Sequence, residues 1–334
     1  MEFLRGLATV DFHYAVANFK PGGPYGIPSL VCTLLFAWGV FAHRRHARGR
    51  RAELKLFLRS LFPRKIMFHR STFMDMRLWI LNITVLGVAY SWLAIGGLGV
   101  RDAMIGALTR LLGEHAPTHW PLALVMTITT LTALLAYELA YWFGHYLFHR
   151  FEFLWEFHKV HHSAEVMTTL TELRQHPVEI LAFVNLIGIS TGASLGVLTY
   201  IFGPGAHAFT LLNANIALML FLMTWGHLRH SHIWLSFQGL AGHLFQSPAH
   251  HQLHHSTNPE HFNMNLGFAL AVWDWAFGTL RIPAKTCEVV EFGVGQTHGD
   301  YDTVLRTFAR PFQRSAEHFL PVPAPESPAG APRG

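Results

Sequence analysis

Charged side chains are scarce in this sequence. Asp, Glu, Lys and Arg together make up 13% of its 334 residues, whereas an average soluble domain carries about 25%. Hydrophobic residues account for 51% of the chain. This balance disfavours a soluble globular domain and favours a protein embedded in a lipid bilayer.

Cysteine is almost absent as well. Cys32 and Cys287 lie far apart in the chain, which excludes a disulfide framework and a thiolate metal site. The amino terminus has no basic stretch followed directly by an apolar run, so we expect no cleaved signal peptide. The formal net charge is +5, but the basic residues concentrate beside apolar runs, which favours membrane topology over nucleic-acid binding.

Long apolar runs are abundant. A membrane-spanning helix needs about 20 mostly apolar residues, and the runs 27–43, 78–100 and 120–143 are candidates. Residues 180–228 form a stretch of 49 residues without a charged side chain, which is long enough for two crossings. The sequence Phe-Gly-Pro-Gly at 202–205 interrupts this stretch near its middle, as a helical hairpin requires.

The order of these spans predicts the topology. Two crossings within 180–228 return the chain to the face it left, so the histidine-rich windows 145–162 and 227–261 share one face. Residues 44–65 contain nine Arg or Lys and one Glu, which marks that segment as cytoplasmic. The sequence therefore predicts an all-α, multi-pass membrane bundle of about five spans, with a cytoplasmic helical cap that carries the histidines.

The sequence divides into three predicted segments. We predict amino-terminal spans and the basic loop in 1–119, a catalytic domain in 120–281 and a carboxyl-terminal cytoplasmic segment in 282–334. Residues 262–280 are expected to lie at the membrane interface, with a re-entrant element as the alternative. The last 14 residues contain five prolines and are predicted to be disordered.

Histidine is the residue in excess. The 24 histidines outnumber the 20 Asp and Glu residues, and many fall in three boxes with helical spacing. Positions i, i+3 and i+4 share one face of a helix. The boxes are His145 and His149 in HYLFH, His158, His161 and His162 in HKVHH, and His251, His254 and His255 in HQLHH.

These histidines exceed the needs of one metal ion. A fourth group, HLRHSHI, adds one or more of His227, His230 and His232. A single ion takes about four to six ligands. Two ions that each bind four or five nitrogens would account for nearly all of these histidines. The sequence therefore predicts a site for two metal ions.

The missing motifs narrow the choice of metal. The chain contains no Glu-x-x-His motif, which soluble di-iron bundles use. It also has no HExxH motif, which supplies the general base of many zinc hydrolases. Neutral imidazoles are less costly than several carboxylates to hold beside hydrocarbon. Redox-active iron is the favoured interpretation.

At these residues the sequence resembles the fatty acid hydroxylase/sterol desaturase superfamily of integral-membrane di-iron oxygenases. The three boxes match its HxxxH, HxxHH and HxxHH pattern, and LRQHPVE and NLGFALAVWDWAFGTL agree with it. The resemblance covers about 120–281. It implies a helical membrane fold, two non-haem irons, O2 as co-substrate, an external ferredoxin- or cytochrome-type reductase, and a home in a bacterial inner membrane.

The sequence departs from the family pattern at two places. Glu138 stands where an Asp is usual, seven residues before His145, and His230-Ser231-His232-Ile233 replaces the common His-Ser-Asn-Ile. We take His230 as the ninth metal ligand beside the eight box histidines. Candidates for a further ligand or a supporting contact are His227, His232, His176, Glu138, Asn265 and Asp274.

The predicted activity is hydroxylation of an unactivated C–H bond of a lipid. Desaturation or oxidative demethylation at the same site is the alternative, and the lipid stays open among fatty acyl, sterol and related chains. A histidine-rich zinc transporter is the alternative of another class. It would distribute histidines through its spans, whereas 180–226 contains only His207.

Overall fold

The computed structural model describes residues 18–116, 118 and 120–320, without the side chains of residues 91 and 296–298. The carboxyl-terminal tail 321–334, which the sequence predicts to be disordered, lies outside the described residues. Residues 1–17, at the amino terminus where we expect no signal peptide, also lie outside them. The described chain is mostly helical. The predicted all-α fold class is confirmed.

In chain order the helices are α1 (Ile27–His46), α2 (Leu54–Leu61), α3 (Arg64–Met67), α4 (Arg70–Ile83), α5 (Val85–Leu93), α6 (Gly97–Leu112), α7 (Leu122–Arg150), α8 (Glu152–His162), α9 (Pro177–Phe202), α10 (Ile216–Met223), α11 (Gly239–Leu244), α12 (Pro248–His254), α13 (Val272–Phe277) and α14 (Val304–Glu317). Two short antiparallel strands, β1 (Thr210–Leu211) and β2 (Ala214–Asn215), pair with each other.

Four helical stretches within the described ranges are long and apolar enough to cross a membrane. They are Ile27–His46, Arg70–Tyr90, Leu122–Arg150 and Pro177–Gly205. The expected helical membrane bundle is confirmed, but with four candidate spans where the sequence predicted about five. The predicted spans at 27–43 and 120–143 correspond to α1 and α7.

The predicted span at 78–100 is placed differently. Helix α4 begins at Arg70, the backbone breaks at Thr84, and α5 ends at Leu93. The charged Asp75 lies inside the apolar stretch because it is buried against Arg174, with Oδ1 2.9 Å from Nη1. The predicted span began after the charged Arg77, whereas the helix starts at Arg70 and includes both Asp75, in its ion pair, and Arg77.

The second full-length span predicted within 180–228 is wrong, although the chain does return to the end of the bundle where His230 meets His161. The break at Gly203–Gly205 occurs as expected, but the chain then forms the β1–β2 hairpin and only eight residues of helix, α10. The hairpin bonds to α7, because Phe209 N donates to Thr130 Oγ1 at 2.8 Å and Asn215 Nδ2 donates to Thr130 O at 3.2 Å. Irregular backbone is tolerated at this depth because a neighbouring helix satisfies it.

Residues 262–280 form a single short helix, α13, between irregular segments. This helix is too short to cross a bilayer. The segment packs against α7, where Trp142 stacks on Phe277 with ring centroids 4.4 Å apart.

The remaining packing gathers both histidine windows at one end of the bundle. Helix α9 begins beside α8 and runs for about 39 Å, given 26 residues at about 1.5 Å each. Helix α14 packs on α8, where the rings of Phe312 and Phe157 contact edge to face with their centroids 5.2 Å apart. The last turn of α1 reaches the same end, because Arg44 Nη2 donates to Trp234 O at 2.7 Å.

Candidate metal centre

Nine histidines converge into two groups at this end of the bundle. Within each group the nearest ring nitrogens all lie within 4.8 Å of one another. One group contains His145, His149, His158, His162 and His254, and the other contains His161, His230, His251 and His255. All are buried except His149, which is half-buried. We call them the five-histidine group and the four-histidine group.

Each HxxHH box contributes to both groups. In α8, His158 and His162 point to the five-histidine group and His161 points to the other. In the third box the division is reversed, since only His254 joins the five-histidine group. Neighbouring residues on a helix project about 100° apart, so adjacent histidines reach different groups.

The ring nitrogens are arranged as ligands would be. In the five-histidine group, Nε2 of His158 lies 3.0 Å from that of His145 and 3.2 Å from that of His162. Nitrogens bound at right angles to one ion at about 2.1 Å lie about 3.0 Å apart. Nε2 of His149 and of His254 are buried without a hydrogen-bond partner among the described residues. The five-histidine group therefore fits a metal ion.

The four-histidine group has the same arrangement. Nε2 of His230 lies 3.0 Å from Nε2 of His161 and 2.7 Å from that of His251. Nε2 of His255 lies 3.2 Å from that of His251. Imidazole nitrogen suits zinc, copper, iron and nickel, so the donor set fits a second ion of this class.

Contacts at the opposite ring nitrogen orient four of these histidines. Nδ1 of His145 donates to Leu266 O at 2.7 Å, and Nδ1 of His254 donates to Met264 O at 2.9 Å. Nδ1 of His158 meets a Glu179 carboxylate oxygen at 2.8 Å, and Nδ1 of His230 meets Glu172 at 2.8 Å. A proton held at Nδ1 leaves Nε2 free for a metal.

Burial keeps the rings in the cap neutral. It lowers the pKa of His158, His161 and His254 well below the ordinary value, because a charged imidazolium loses its hydration there. Neutral imidazole is the form that binds metal.

Three of the predicted supporting residues hold the segment that carries these carbonyl groups. Glu138 accepts the amides of Ala269 and Leu270 at 3.0 to 3.1 Å. The Asp274 carboxylate accepts the amides of the two residues that follow Asn265, both at 2.8 Å. The side chain of Asn265 accepts from Arg281 N at 2.8 Å and donates to His250 O at 3.1 Å. None of the three carboxylate or amide groups belongs to either histidine group.

Three predicted histidines lie outside both groups. His176 begins α9 and contacts Phe308 O through Nε2 at 3.0 Å. Nε2 of His227 lies 2.9 Å from Ser29 Oγ. Nε2 of His232 lies 2.7 Å from Ser60 O. Of the three histidines that the sequence left open in HLRHSHI, the structure brings only His230 into a group.

Sequence reasoning missed three charged residues beside the groups. Two are Glu172 and Glu179, and the third is Arg229, which is fully buried. The Arg229 guanidinium lies 4.6 Å from the ring centre of Phe268, and Nη2 lies 3.3 Å from His251 Nδ1. The available signals were Arg229 inside HLRHSHI, directly after the run without charge, and Glu179 in the first turn of α9.

A cavity of about 550 Å³ is lined by members of the five-histidine group and by His255 of the four-histidine group. His149, His162 and His254 line its inner wall, and Trp155 and Phe262 supply apolar surface. Lys159 and Glu152 lie at the same cavity and add charged groups. The space is suited to a molecule that has both an apolar and a polar part.

Known proteins match this chain over the segment that contains the two histidine groups. Residues 130–279 match the family model described as fatty acid hydroxylase. The chain is 26% identical over 198 residues to the ornithine lipid hydroxylase OlsE of Rhizobium tropici, which covers 59% of this chain and 53% of that protein. No solved structure matches the chain.

The alkylglycerol monooxygenases are similar too. The protein from Danio rerio is 26% identical over 170 residues, 51% of this chain and 34% of its own length. The one from Xenopus tropicalis is 28% identical over 182 residues, 53% of this chain and 34% of its own. The matches thus span about half of the ornithine lipid hydroxylase and about a third of these monooxygenases.

All nine histidines lie within the matched segment. This segment matches the fatty acid hydroxylase family, whose superfamily the three histidine boxes resemble.

Proposed function

We propose that the chain is a membrane-bound, O2-dependent di-iron enzyme that hydroxylates an unactivated C–H bond of a lipid. The observation that carries the proposal is the pair of buried histidine groups, both of which contribute side chains to the wall of one mostly apolar cavity. Two irons held there would supply the oxidising power, with O2 and two electrons from an external ferredoxin- or cytochrome-type reductase. The overall change gives an alcohol and one water from the C–H bond, O2, two electrons and two protons.

The residues of the chain would perform four tasks in this reaction. The nine histidines hold the metals through Nε2, and Glu172 and Glu179 fix two of the rings. Trp155 and Phe262 bind the apolar part of the substrate beside the five-histidine group. The burial of both groups excludes water from the reacting carbon.

The names of the relatives support a lipid as the substrate. They describe a hydroxylase of ornithine lipids and monooxygenases of alkylglycerols. We propose the same broad class here, a lipid with a polar head. Lys159 and Glu152 at the cavity would face that head.

We place the enzyme in a bacterial inner membrane with the metal centre on the cytoplasmic side. The basic segment 44–65 supports this, because it lies at the same end of the bundle as both histidine groups. A cytoplasmic site would also be reached by a soluble reductase.

A zinc transporter fits the geometry less well. A transport path needs binding groups along the spans, whereas the nine histidines form two closed groups at one end. His207, in the turn after α9, is exposed and belongs to neither group.

The experiment combines metal analysis with product analysis. We expect about two irons per chain, O2 uptake with a reductant, and lipids heavier by 16 mass units in expressing cells. A loss of 2 mass units would instead identify a desaturase. One zinc per chain without O2 uptake would reject the oxygenase.

A matched pair of variants tests the site. His230→Ala removes a member of the four-histidine group, whereas His232→Ala removes a neighbour that belongs to neither group and whose ring bonds to Ser60 O. We expect the first variant to lose product formation and the second to retain it. Equal loss in both would contradict the assignment of His230.

A further inference from the structure

A second cavity lies outside the metal centre, where α1 ends. It has a volume of about 300 Å³ and lies between α1, α2 and residues 228–235. Phe41, Phe57 and Trp234 belong to its apolar wall. Three arginines, Arg44, Arg45 and Arg48, also line it. We call this space the arginine cavity.

The positive charge at the arginine cavity has no carboxylate counterpart. No Asp or Glu lines it, and no ion pair between described residues includes any of the three arginines. Arg44 donates to Trp234 O, and Arg45 Nε donates to Arg51 O at 3.0 Å. These two backbone contacts hold the side chains in place without neutralising them.

The cavity lies at the end of a candidate membrane span. Arg44 and Arg45 belong to the last turn of α1, at the end of the candidate span Ile27–His46. Helix α2 follows with Leu54 and Leu58 exposed, at 62% and 45%. A short helix with exposed leucines and basic residues suits the plane between head groups and acyl chains. Phosphate groups of phospholipids occupy this level.

We propose that the arginine cavity binds one anionic phospholipid. Arg45 and Arg48 would hold its phosphate, and the start of an acyl chain would lie against Phe41 and Trp234. The combination of apolar wall and uncompensated charge matches an amphiphile with a negative head. An acidic protein would complement the positive charge of the arginines but would leave the apolar wall without a partner.

Lipid binding in the arginine cavity would also stabilise the segment that carries His230. Leu228 and residues 232–235 line the arginine cavity, and His230 between them belongs to the four-histidine group. A ligand that binds only the folded chain stabilises it. The lipid should therefore raise the Tm of the full chain.

The test measures lipid affinity by native mass spectrometry of the full chain in neutral detergent. The probes are dioleoylphosphatidylglycerol, dioleoylphosphatidylcholine and glycerol 1-phosphate. The variant is Arg45→Gln/Arg48→Gln. The matched control, Arg64→Gln/Lys65→Gln, removes two positive charges from the same basic segment but outside the cavity.

We expect one tightly bound phosphatidylglycerol per chain. The cavity variant should weaken its binding about 30-fold, since each basic residue near the surface contributes about fivefold. The control variant should remain within about threefold of the unmodified chain. Phosphatidylcholine and glycerol 1-phosphate should each bind at least tenfold more weakly than phosphatidylglycerol.

Four results would overturn the proposal. Equal weakening in the control variant would mean that only net charge matters. Equal binding of phosphatidylcholine would remove the role of the arginines, and equal binding of glycerol 1-phosphate would remove that of the apolar wall. Finally, binding of an acidic ferredoxin that depends on Arg45 and Arg48, without phosphatidylglycerol binding, would make this a protein-docking surface.

Discussion

Glu179 is the residue that ties the start of α9 to the five-histidine group. Its carboxylate accepts from Nδ1 of His158 at 2.8 Å and from Gln175 Nε2 at 3.0 Å. It is fully buried, so its removal leaves Nδ1 of His158 without this acceptor. The ring of His158 would then lose both its orientation and its fixed tautomer.

We expect Glu179→Ala to weaken metal retention about 10- to 100-fold, the usual effect of losing such a partner. Glu179→Gln should lose less, because its amide oxygen still accepts from His158. The measurement is metal content per chain during a chelator titration, with the exposed Glu260→Ala as control. Identical chelator profiles for Glu179→Ala and the unmodified chain would contradict this role.

His176 acts on stability rather than on the metal. Its Nδ1 accepts from Val178 N at 3.2 Å and caps α9. Burial lowers its pKa to about 4, from an ordinary value of about 6.5. The unfolded chain therefore takes up a proton at this ring below pH 6.5 while the folded chain does not. This contribution to stability is complete above pH 6.5 and is lost as the pH falls toward 4.

His176→Asn tests this because it keeps a capping acceptor and removes the titration. Relative to the variant, the unmodified chain should lose about 1.4 kcal/mol of unfolding free energy per pH unit below 6.5, or about 2 kcal/mol at pH 5. Thermal unfolding in detergent at pH 7 and pH 5 measures the change. Parallel pH profiles would show that His176 does not titrate in this range.

The box histidines could be predicted because helical spacing is local. His158 and His162 are one turn apart, and their convergence requires only that the segment be helical. The pairing of His230 with Glu172 joins residues 58 positions apart, and no spacing rule predicts it. The buried position of Arg229 depends in the same way on the distant Phe268.

At the scale of elements, α9 is held against α6 by a row of glycines. Gly188, Gly192 and Gly196 occur every fourth residue on one face of α9. A Cβ at Gly192 would lie 2.4 Å from Gly97 O. Small residues at this spacing allow two helix backbones to approach closely within a membrane.

Gly192→Ala should therefore force the two helices apart and reduce the unfolding free energy by about 1 to 3 kcal/mol. Gly99→Ala on α6 is the matched control, because nothing lies within 4 Å of its Cβ position. The control should be neutral or slightly stabilising, since Ala favours a helix more than Gly does. Tm measurements compare the two. A Tm unchanged in Gly192→Ala would mean that the contact is not tightly packed.

The hydropathy of the sequence predicted α1 and α7 well. For the residues that follow α9 it predicted a second long helix, which the structure does not contain among the described residues. An apolar run without charges is compatible with a helix, a short helix or a hairpin, as long as the backbone bonds are satisfied. Residues 206–223 use Thr130 of α7 for two of those bonds, which a composition window does not detect. The domain boundaries at 119 and 281 stay a prediction.

At the scale of the whole molecule, the two ends of the bundle are chemically different. One end carries both histidine groups, the arginine cavity and the basic segment 44–65. At the other end, α6 stops near Gly113, whose carbonyl accepts from Tyr200 OH at 2.9 Å. Helix α9 connects the two ends over a length that exceeds the hydrocarbon thickness of about 30 Å.

This asymmetry predicts which cysteines an impermeant maleimide reaches from each side of the membrane. Cys287 is exposed at the histidine end, near Ala284, whose carbonyl accepts from Trp234 Nε1 at 3.1 Å. In a Cys32→Ala background, it should react in inverted vesicles and stay protected in right-side-out vesicles or intact cells. Glu114→Cys, at an exposed position of the other end, should show the opposite pattern when Cys287 is replaced by Ser. Reaction of both cysteines from one side would mean that α9 does not cross the bilayer, and the shared cytoplasmic position of the metal centre and basic segment would lose its support.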